Sequence, residues 1–196
     1  PDLDPDTAQL VGSLREQINR LTALVRTLLE MSNLQSVARN EHIDLAPLVE
    51  EILTDLTPLA QKNHIALEQD CQDLQMVGSD ALIYRLVFNL VENGIKYNRP
   101  GGRVQVTLQA QGGCAQLRVS DTGGGIPAAC QTSIFQPFFR VDKSRSREMG
   151  GVGLGLALVR EIAAVHGGTA AVESSSPNGT TFLVTLPLEQ PGPSVL

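Results

Sequence analysis

The chain has 196 residues, of which 42% are hydrophobic and 18% are charged, and its formal net charge is −6. This composition supplies enough apolar sequence for a buried core and excludes a disordered chain. The negative charge argues against the basic surface of a nucleic-acid-binding protein.

The first predicted element is a long helix over residues 10–35. Its apolar residues recur at alternating spacings of three and four, which is typical of a helix packed in a bundle or a coiled coil. These seam residues are Val11, Leu14, Ile18, Leu21, Val25 and Leu28. Leu10, Leu24 and Met31 widen the stripe, and its width predicts more than one partner helix, as in a four-helix bundle. The alternative is a helix packed on the core of its own domain.

The rest of the chain is predicted to be an α+β domain, in which helices and strands form separate layers. Residues 33–40 lose the heptad pattern and are predicted to form a linker. The predicted helices begin at Asp44, Ser79 and Leu154. The predicted strands cover residues 65–68, 103–110, 115–120, 170–174 and 180–186. Residues 121–152 are irregular, and a stretch of this length is usually a lid or a binding loop.

Two asparagines and a lysine share one face of the helix predicted to begin at Ser79. Asn89 and Asn93 are four residues apart, so they project from the same side, and Lys96 follows one turn later. Mg²⁺ takes few protein ligands and completes its octahedron with water and phosphate oxygens, so this set suits a Mg²⁺-polyphosphate. For this spacing alone, an ordinary polar helix face is the favoured interpretation.

A glycine-rich segment, Asp121-Thr122-Gly123-Gly124-Gly125-Ile126, directly follows a predicted strand. Its glycines permit a close approach of the backbone to a ligand. The Asp121 carboxylate can accept a hydrogen bond from the exocyclic amine of adenine, whereas guanine places an acceptor oxygen there. The segment therefore predicts an adenine site, and a glycine-rich turn formed by an aspartate is the alternative.

Two further patches lie in and after the irregular stretch. Phe135-Gln136-Pro137-Phe138-Phe139-Arg140 contains three of the five phenylalanines and precedes a basic stretch that includes Lys143. Aromatic residues can anchor a mobile lid while Arg140 or Lys143 reaches phosphate, although a hydrophobic turn with solvated charges is the alternative. Gly151-Val152-Gly153-Leu154-Gly155 lies where a loop enters a helix, and helix N-termini favour phosphate. This patch fits neither a dinucleotide fingerprint nor a Walker P-loop.

The four patches in this order, together with Gly179-Thr180-Thr181-Phe182, resemble the motifs of the sensor histidine kinases. The matching segments are residues 89–98 (N box), 121–126 (G1 box), 135–140 (F box) and 151–156 (G2 box). The resemblance covers roughly residues 44–188 and implies the GHKL or Bergerat fold, a sandwich of three helices on a mixed, mainly antiparallel sheet. The domains it implies are a partial dimerisation hairpin (1–40, its second helix only), an ATP-binding catalytic domain (41–188) and a tail (189–196).

The resemblance also implies a role for each matching residue. Asn89 and Asn93 would hold Mg²⁺, and Asn89, Lys96 and Arg140 would be the catalytic residues. Asp121 would bind the adenine amine. The other nucleotide-binding residues that it implies are Tyr97, Gly123, Gly125, Ile126, Phe135, Phe138, Lys143, Gly151, Gly153, Leu154, Gly155 and Thr181. Among these, Phe135 and Phe138 would anchor the lid, and Thr181 would lie near the base.

The function implied is that of an ATP- and Mg²⁺-dependent protein-histidine kinase of a two-component system. It would form a homodimer through the helical hairpin and pass the phosphoryl group to a response regulator receiver domain. Two features depart from the family: Gly94 stands where alanine is usual, and the acceptor motif, a histidine followed by an acidic residue and a proline, is absent. We therefore expect the acceptor helix upstream of Pro1, and no self-phosphorylation of His42, His64 or His166.

Two other functions are left open by the sequence. One is another GHKL ATPase, such as an anti-sigma serine kinase or a gyrase-like machine, against which the phenylalanine-rich F box and the long first helix argue. The other is a nucleotide-gated interaction module without activity, in which ATP orders residues 136–150. The three cysteines lack CxxC spacing, which favours a reducing compartment. We expect a cytoplasmic location, no nucleic-acid partner and no membrane segment in this chain, with anchoring of the intact parent in the inner membrane left open.

Overall fold

The computed structural model describes residues 5–141 and 153–189. The helices are α1 (Pro5–Asn33), α2 (Leu45–Lys62), α3 (Asp80–Lys96) and α4 (Gly155–Val165). The strands are β1 (Glu41–Asp44), β2 (Ala66–Cys71), β3 (Gln75–Gly78), β4 (Arg103–Gln111), β5 (Cys114–Asp121), β6 (Thr169–Ser176) and β7 (Gly179–Pro187). Short 3₁₀ turns occupy Leu34–Ser36, Ala128–Cys130 and Ser133–Phe135.

The main sheet has five strands in the order β2-β4-β5-β7-β6. The β2–β4 pair is parallel and the other three pairs are antiparallel. Gly112 and Gly113 join β4 to β5 with φ values of +60° and +76°, which is the backbone of a tight two-residue hairpin. This mixed, mainly antiparallel sheet with separate helices confirms the predicted α+β fold.

The core lies between one face of the main sheet and helices α2, α3 and α4. On α3, the side chains at the predicted core positions are at most 2% exposed: Leu86, Val87, Leu90 and Val91. The same periodicity leaves Asn89 and Asn93 half-buried on the other side of the helix. The sheet therefore supports α3 so that its polar face is presented next to the loop after β5.

Gly94 has a packing role in this contact between α3 and the sheet. A Cβ at Gly94 would lie 3.1 Å from Cγ2 and 3.3 Å from Cγ1 of Val104 on β4. Glycine inside a helix costs about 1 kcal/mol relative to alanine. Here the missing side chain lets α3 approach β4 closely.

Strands β1 and β3 form a separate two-stranded sheet that the sequence does not predict. Each has four residues, which is too short for a clear alternation of apolar and polar side chains. His42 lies on β1 opposite Val77. Asp44 precedes α2 as predicted, but its Oδ1 accepts a hydrogen bond from Nε2 of Gln75 at 2.7 Å, and its side chain caps no helix N–H.

The six seam residues of α1 are all between 44% and 62% exposed. Leu10 extends this apolar stripe, Met31 is partly buried against the core, and the side chain of Leu24 lies outside the described part of the structure. The seam of α1 therefore does not pack on the core of its own domain, and that interpretation of the heptad pattern is wrong. An apolar stripe of this length marks an interaction surface.

His166 is buried at the C-terminal end of α4. Its side chain is 1% exposed, its Nδ1 donates to the carbonyl oxygen of Ile162 at 2.8 Å, and its Nε2 accepts from the N–H of Ser79 at 3.1 Å. Desolvation by burial lowers the pKa of His166. One nitrogen donates and the other accepts, so the ring is the neutral tautomer.

All three cysteines are free thiols. Among residues 5–141 and 153–189, no helix has the length and hydropathy needed to cross a membrane.

Candidate functional site

A cavity of about 790 Å³ opens between α3, the loop after β5 and the start of α4. This volume is typical of small-molecule sites. The predicted site residues that line it are Asn89, Asn93, Lys96, Tyr97, Asp121, Gly123, Gly125, Ile126, Arg140, Gly153, Leu154 and Gly155. The predicted residues that lie outside this lining are Phe135, Phe138 and Thr181. Lys143 and Gly151 lie outside the described residues.

Asp121 occupies one end of the cavity, at the last position of β5. Its Oδ1 accepts a hydrogen bond from the N–H of Gly123 at 2.7 Å, and the backbone N–H of Thr180 also donates to its carboxylate. Burial raises the pKa of Asp121, and these two hydrogen bonds oppose that shift. A carboxylate can accept about four hydrogen bonds. Asp121 is thus fixed by the backbone and keeps acceptor capacity for a ligand.

Two glycines of the following loop are required by close packing. A Cβ at Gly123 would lie 2.5 Å from the carbonyl oxygen of Tyr97 and 2.9 Å from Oδ1 of Asp121. Gly125 has a φ of +74°, and a Cβ there would overlap the carbonyl oxygen of Ser176. The loop is therefore held between the end of α3 and the β6–β7 turn, with its backbone against the cavity.

The opposite end of the cavity is formed by the polar face of α3 and the N-terminus of α4. Nδ2 of Asn89 donates to the carbonyl oxygen of Arg85 at 2.6 Å, which leaves Oδ1 as the free end of the amide. A Cβ at Gly155 would lie 2.8 Å from that oxygen, so α4 begins directly against Asn89. The free N–H groups of a helix N-terminus attract anions. This end of the cavity suits phosphate oxygens.

Arg140 lines the cavity with a partly buried guanidinium group. Its Nε and Nη2 are buried, and neither has a hydrogen-bond partner among the described residues. Burying charged donors without a partner is costly, because the lost hydration is not replaced. Lys96, by contrast, pairs with Glu92 at 2.8 Å. The Arg140 guanidinium therefore points to an anionic ligand.

The oxygen donors at this end also fit Mg²⁺. Asn89, Glu92 and Asn93 line the cavity within two turns of α3. Mg²⁺ prefers oxygen ligands, retains several waters and is often held together with substrate phosphates. In the described part of the chain, no group of three or more His, Cys, Asp or Glu side chains is placed to hold a metal ion. The donor set matches a metal shared with phosphate oxygens.

Thr180, and not the predicted Thr181, faces the cavity. Successive residues of a strand point to opposite faces. Thr180 shares the buried side of β7 with Phe182, whereas Oγ1 of Thr181 lies 2.9 Å from Oγ of Ser120 on the other face. The prediction was wrong by one residue, although the alternation with the buried Phe182 could have revealed it.

Phe139 takes the place that the sequence analysis gave to Phe138. Phe135 is buried and packs edge-on against Phe182 with ring centroids 6.2 Å apart, so it anchors this segment on the core. Phe138 is 54% exposed with a φ of +65°, and its N–H donates to the carbonyl oxygen of Gly153 at 2.9 Å. The turn at Phe138 directs its ring to solvent, and Phe139 packs against the core and lines the cavity.

The family model described as "Histidine kinase-, DNA gyrase B-, and HSP90-like ATPase" matches residues 78–190. The chain belongs to this ATPase family. The sensor histidine kinase RppB of Synechocystis sp. is 36% identical over 189 residues, which are 94% of this chain and 42% of RppB. The sensor-like histidine kinase SenX3 of Mycolicibacterium smegmatis is 34% identical over 195 residues, which are 97% of this chain and 50% of SenX3. The chain thus spans half or less of the length of these two relatives.

A solved structure of a sensor histidine kinase is similar to this chain over nearly its own full length. The mycobacterial sensor histidine kinase MprB is 30% identical, with a TM-score of 0.67, and the match covers 78% of this chain and 99% of that one. The part of the chain that forms the α+β fold is an ATP-binding catalytic domain of the sensor histidine kinase type.

Proposed function

We propose that this chain is the catalytic part of a two-component sensor histidine kinase that binds Mg²⁺-ATP and transfers the γ-phosphoryl group to a histidine on a dimerisation helix. The observation that carries the proposal is the polarity of a single cavity. Asp121 offers a fixed hydrogen-bond acceptor at one end, and Arg140, whose Nε and Nη2 have no hydrogen-bond partner among the described residues, lies in the wall. An adenine nucleotide has the matching groups, an exocyclic amine at one end and a polyphosphate at the other.

The adenine is proposed to lie between the loop after β5 and the end of α3. Its amine would donate to the Asp121 carboxylate, and Tyr97 and Ile126 would contact the ring. The phosphates would extend toward Arg140, Lys96 and the N-terminus of α4. Lys96 would exchange part of its interaction with Glu92, a half-exposed pair, for contact with phosphate.

Catalysis is proposed to consist of positioning and charge neutralisation. Phosphoryl transfer requires the attacking imidazole nitrogen and the leaving oxygen of ADP to be in line with the γ-phosphorus, and it demands little covalent chemistry of the protein. Arg140 and Lys96 would stabilise charge on the phosphoryl oxygens. Asn89 and Asn93 would hold Mg²⁺, which when bound supplies further neutralisation of that charge.

The proposed partners are a second copy of the chain and a response regulator. We assign residues 1–40 to part of a dimerisation hairpin, residues 41–188 to the catalytic domain and residues 189–196 to a tail. The exposed seam of α1 supports a homodimer formed through the hairpin in the intact protein. The phosphohistidine would then pass its phosphoryl group to an aspartate of a response regulator. Free thiols and the use of ATP support a cytoplasmic location.

The test is phosphotransfer to a restored hairpin. The acceptor helix and hairpin loop of a sensor histidine kinase are fused ahead of α1, and the fusion is incubated with γ-labelled ATP and Mg²⁺. We expect acid-labile, base-stable label on the acceptor histidine, and strongly reduced labelling in the same fusion with Arg140→Ala. A fusion that binds ATP and transfers nothing would support the nucleotide-gated module, and label on serine would support a different GHKL kinase.

A further inference from the structure

Strand β6 contains a bulge that determines which of its serines contacts the loop after β5. Val172 pairs with Phe182 and Ser174 pairs with Thr181, so Glu173 is an extra residue on β6. Glu173 and Ser174 are consecutive exposed residues, and Ser175 is half-buried. A bulge of this kind re-aims the side chains that follow it and is common beside active sites. Without it, Ser174 would occupy the inner position.

The bulge is held on the outer face of the sheet by an ion pair. Nε of Arg118, on β5, lies 3.0 Å from both carboxylate oxygens of Glu173. Because donor and acceptor are both charged, this contact is stronger than a hydrogen bond between neutral groups. The outward position of Glu173 therefore stabilises the inward position of Ser175.

Ser175 connects the two segments that form the base end of the cavity. Its Oγ accepts a hydrogen bond from the N–H of Ile126 at 2.7 Å, and it lies 2.9 Å from Oγ1 of Thr180. Thr180 is 4% exposed, lines the cavity, and donates its own N–H to Asp121. The backbone of Gly125 rests against the carbonyl oxygen of the next residue, Ser176. A single hydroxyl thus bonds the loop after β5 to the strand beside Asp121.

We propose that Ser175 is a positioning residue for the base end of the nucleotide site. Its hydroxyl holds the loop of residues 123–126 and the Thr180 side chain in the arrangement that receives a purine. The inference rests on the proposed binding of an adenine nucleotide. Without this hydroxyl, the Ile126 N–H has lost the acceptor of its hydrogen bond. The loop is then expected to move away from the base. The phosphate end is built on α3, α4 and Arg140, and it is unaffected.

The experiment distinguishes binding of the base from binding of the phosphates. Calorimetry measures the dissociation constants of ADP and of inorganic tripolyphosphate for the unmutated chain, Ser175→Ala and the matched control Ser174→Ala. For Ser175→Ala we expect the ADP dissociation constant to rise roughly 5- to 30-fold, as for a buried donor left unpaired, with the tripolyphosphate constant unchanged. Ser174→Ala should behave like the unmutated chain. Ser175→Thr should retain ADP affinity, and Ser175→Val, which has the shape of the threonine variant without its hydroxyl, should lose it.

Two outcomes would overturn the inference. One is an ADP affinity of Ser175→Ala within twofold of the unmutated chain. The other is an equal loss of ADP and tripolyphosphate affinity, which would indicate a general structural defect. If the unmutated chain binds no ADP, the proposed function itself fails first. Amide exchange in the unmutated chain gives a check that needs no variant: the Ile126 N–H must be protected, and rapid exchange would contradict its hydrogen bond to Ser175.

Discussion

The imidazole Nε2 of His166 accepts a hydrogen bond from the backbone N–H of Ser79 at 3.1 Å. This contact joins the C-terminal end of α4 to the residue that precedes α3, the helix that carries Asn89. Gly78 makes the approach possible, because a Cβ there would lie 3.0 Å from Cδ2 of the ring. The two helices that line the cavity at Asn89 and Gly155 are therefore joined by a neutral, buried imidazole.

The first prediction concerns the pH dependence of stability. Burial lowers the pKa of His166 below its ordinary value of 6.5, and the nearby Arg39 acts in the same direction. The unfolded chain therefore binds this proton at a higher pH than the folded chain, so the free energy of unfolding falls as the pH falls below about 6.5. This one site contributes a slope of at most ~1.4 kcal/mol per pH unit.

Chemical unfolding between pH 5 and pH 8 measures that slope. His166→Asn should be less stable than the unmutated chain at pH 8 and should lack one proton's contribution to the slope at lower pH. Parallel curves for the two proteins would show that His166 does not resist protonation in the folded state.

The second prediction is selectivity for adenine. Asp121→Asn should weaken ATP binding by about 2–3 kcal/mol, in the upper part of the range for a hydrogen bond to a charged group, because the amide no longer presents two equivalent acceptor oxygens. GTP should bind weakly to both proteins. Isothermal calorimetry measures all four affinities, and equal binding of ATP and GTP by the unmutated chain would contradict the assignment of Asp121 to the adenine amine.

The third prediction assigns Arg140 to the polyphosphate. Arg140→Ala should lower ATP affinity by about 1.5–3 kcal/mol while changing adenosine affinity little, since the lost hydrogen bonds are to charged oxygens. Arg160→Ala is the matched control, because that arginine is 44% exposed on α4 and pairs with Glu161. The proposal for Arg140 would be wrong if both variants bound ATP equally well.

The fourth prediction concerns the exposed seam of α1. We expect the unmutated chain to self-associate, since Leu21 and Val25 are 60% and 55% exposed within a long apolar stripe. Leu21→Asp with Val25→Asp should give a monomer that still binds ATP, because the α+β domain has its own core. Light scattering at high protein concentration tests this, and a monomeric unmutated chain would contradict a bundle interface.

The fifth prediction is that residues 1–196 alone bind ATP and form no stable phosphohistidine. His42 lies on β1, His64 follows α2 with a φ of +58°, and His166 is buried with both nitrogens engaged. None offers an imidazole on an exposed helix face to a γ-phosphate. Incubation with γ-labelled ATP and detection of acid-labile label is the measurement, and stoichiometric labelling of any of the three would identify an acceptor among them.

The sequence by itself determined the elements whose signal is local. The helical period places Leu86 and Leu90 on the buried side of α3 and Asn89 and Asn93 on the other side within about two turns. Two glycines are enough to specify the β4–β5 hairpin. The glycine-rich and asparagine motifs likewise predicted the ATP-binding family through their resemblance to those of the sensor histidine kinases, because each motif is a short run of residues that can be recognised locally.

The tertiary structure alone decided features that depend on pairing between distant segments. The antiparallel pairing of β7 with β5 places Thr180 opposite Asp121, and this register brings the two residues together at the cavity. The short strands β1 and β3 form only because they pair across more than 30 residues, as in the pairing of Asp44 with Gln75. The protonation state of His166 likewise follows from its burial against Ser79, 87 residues away. Sequence periodicity carries no information about such registers, because each is fixed by the packing of the complete core.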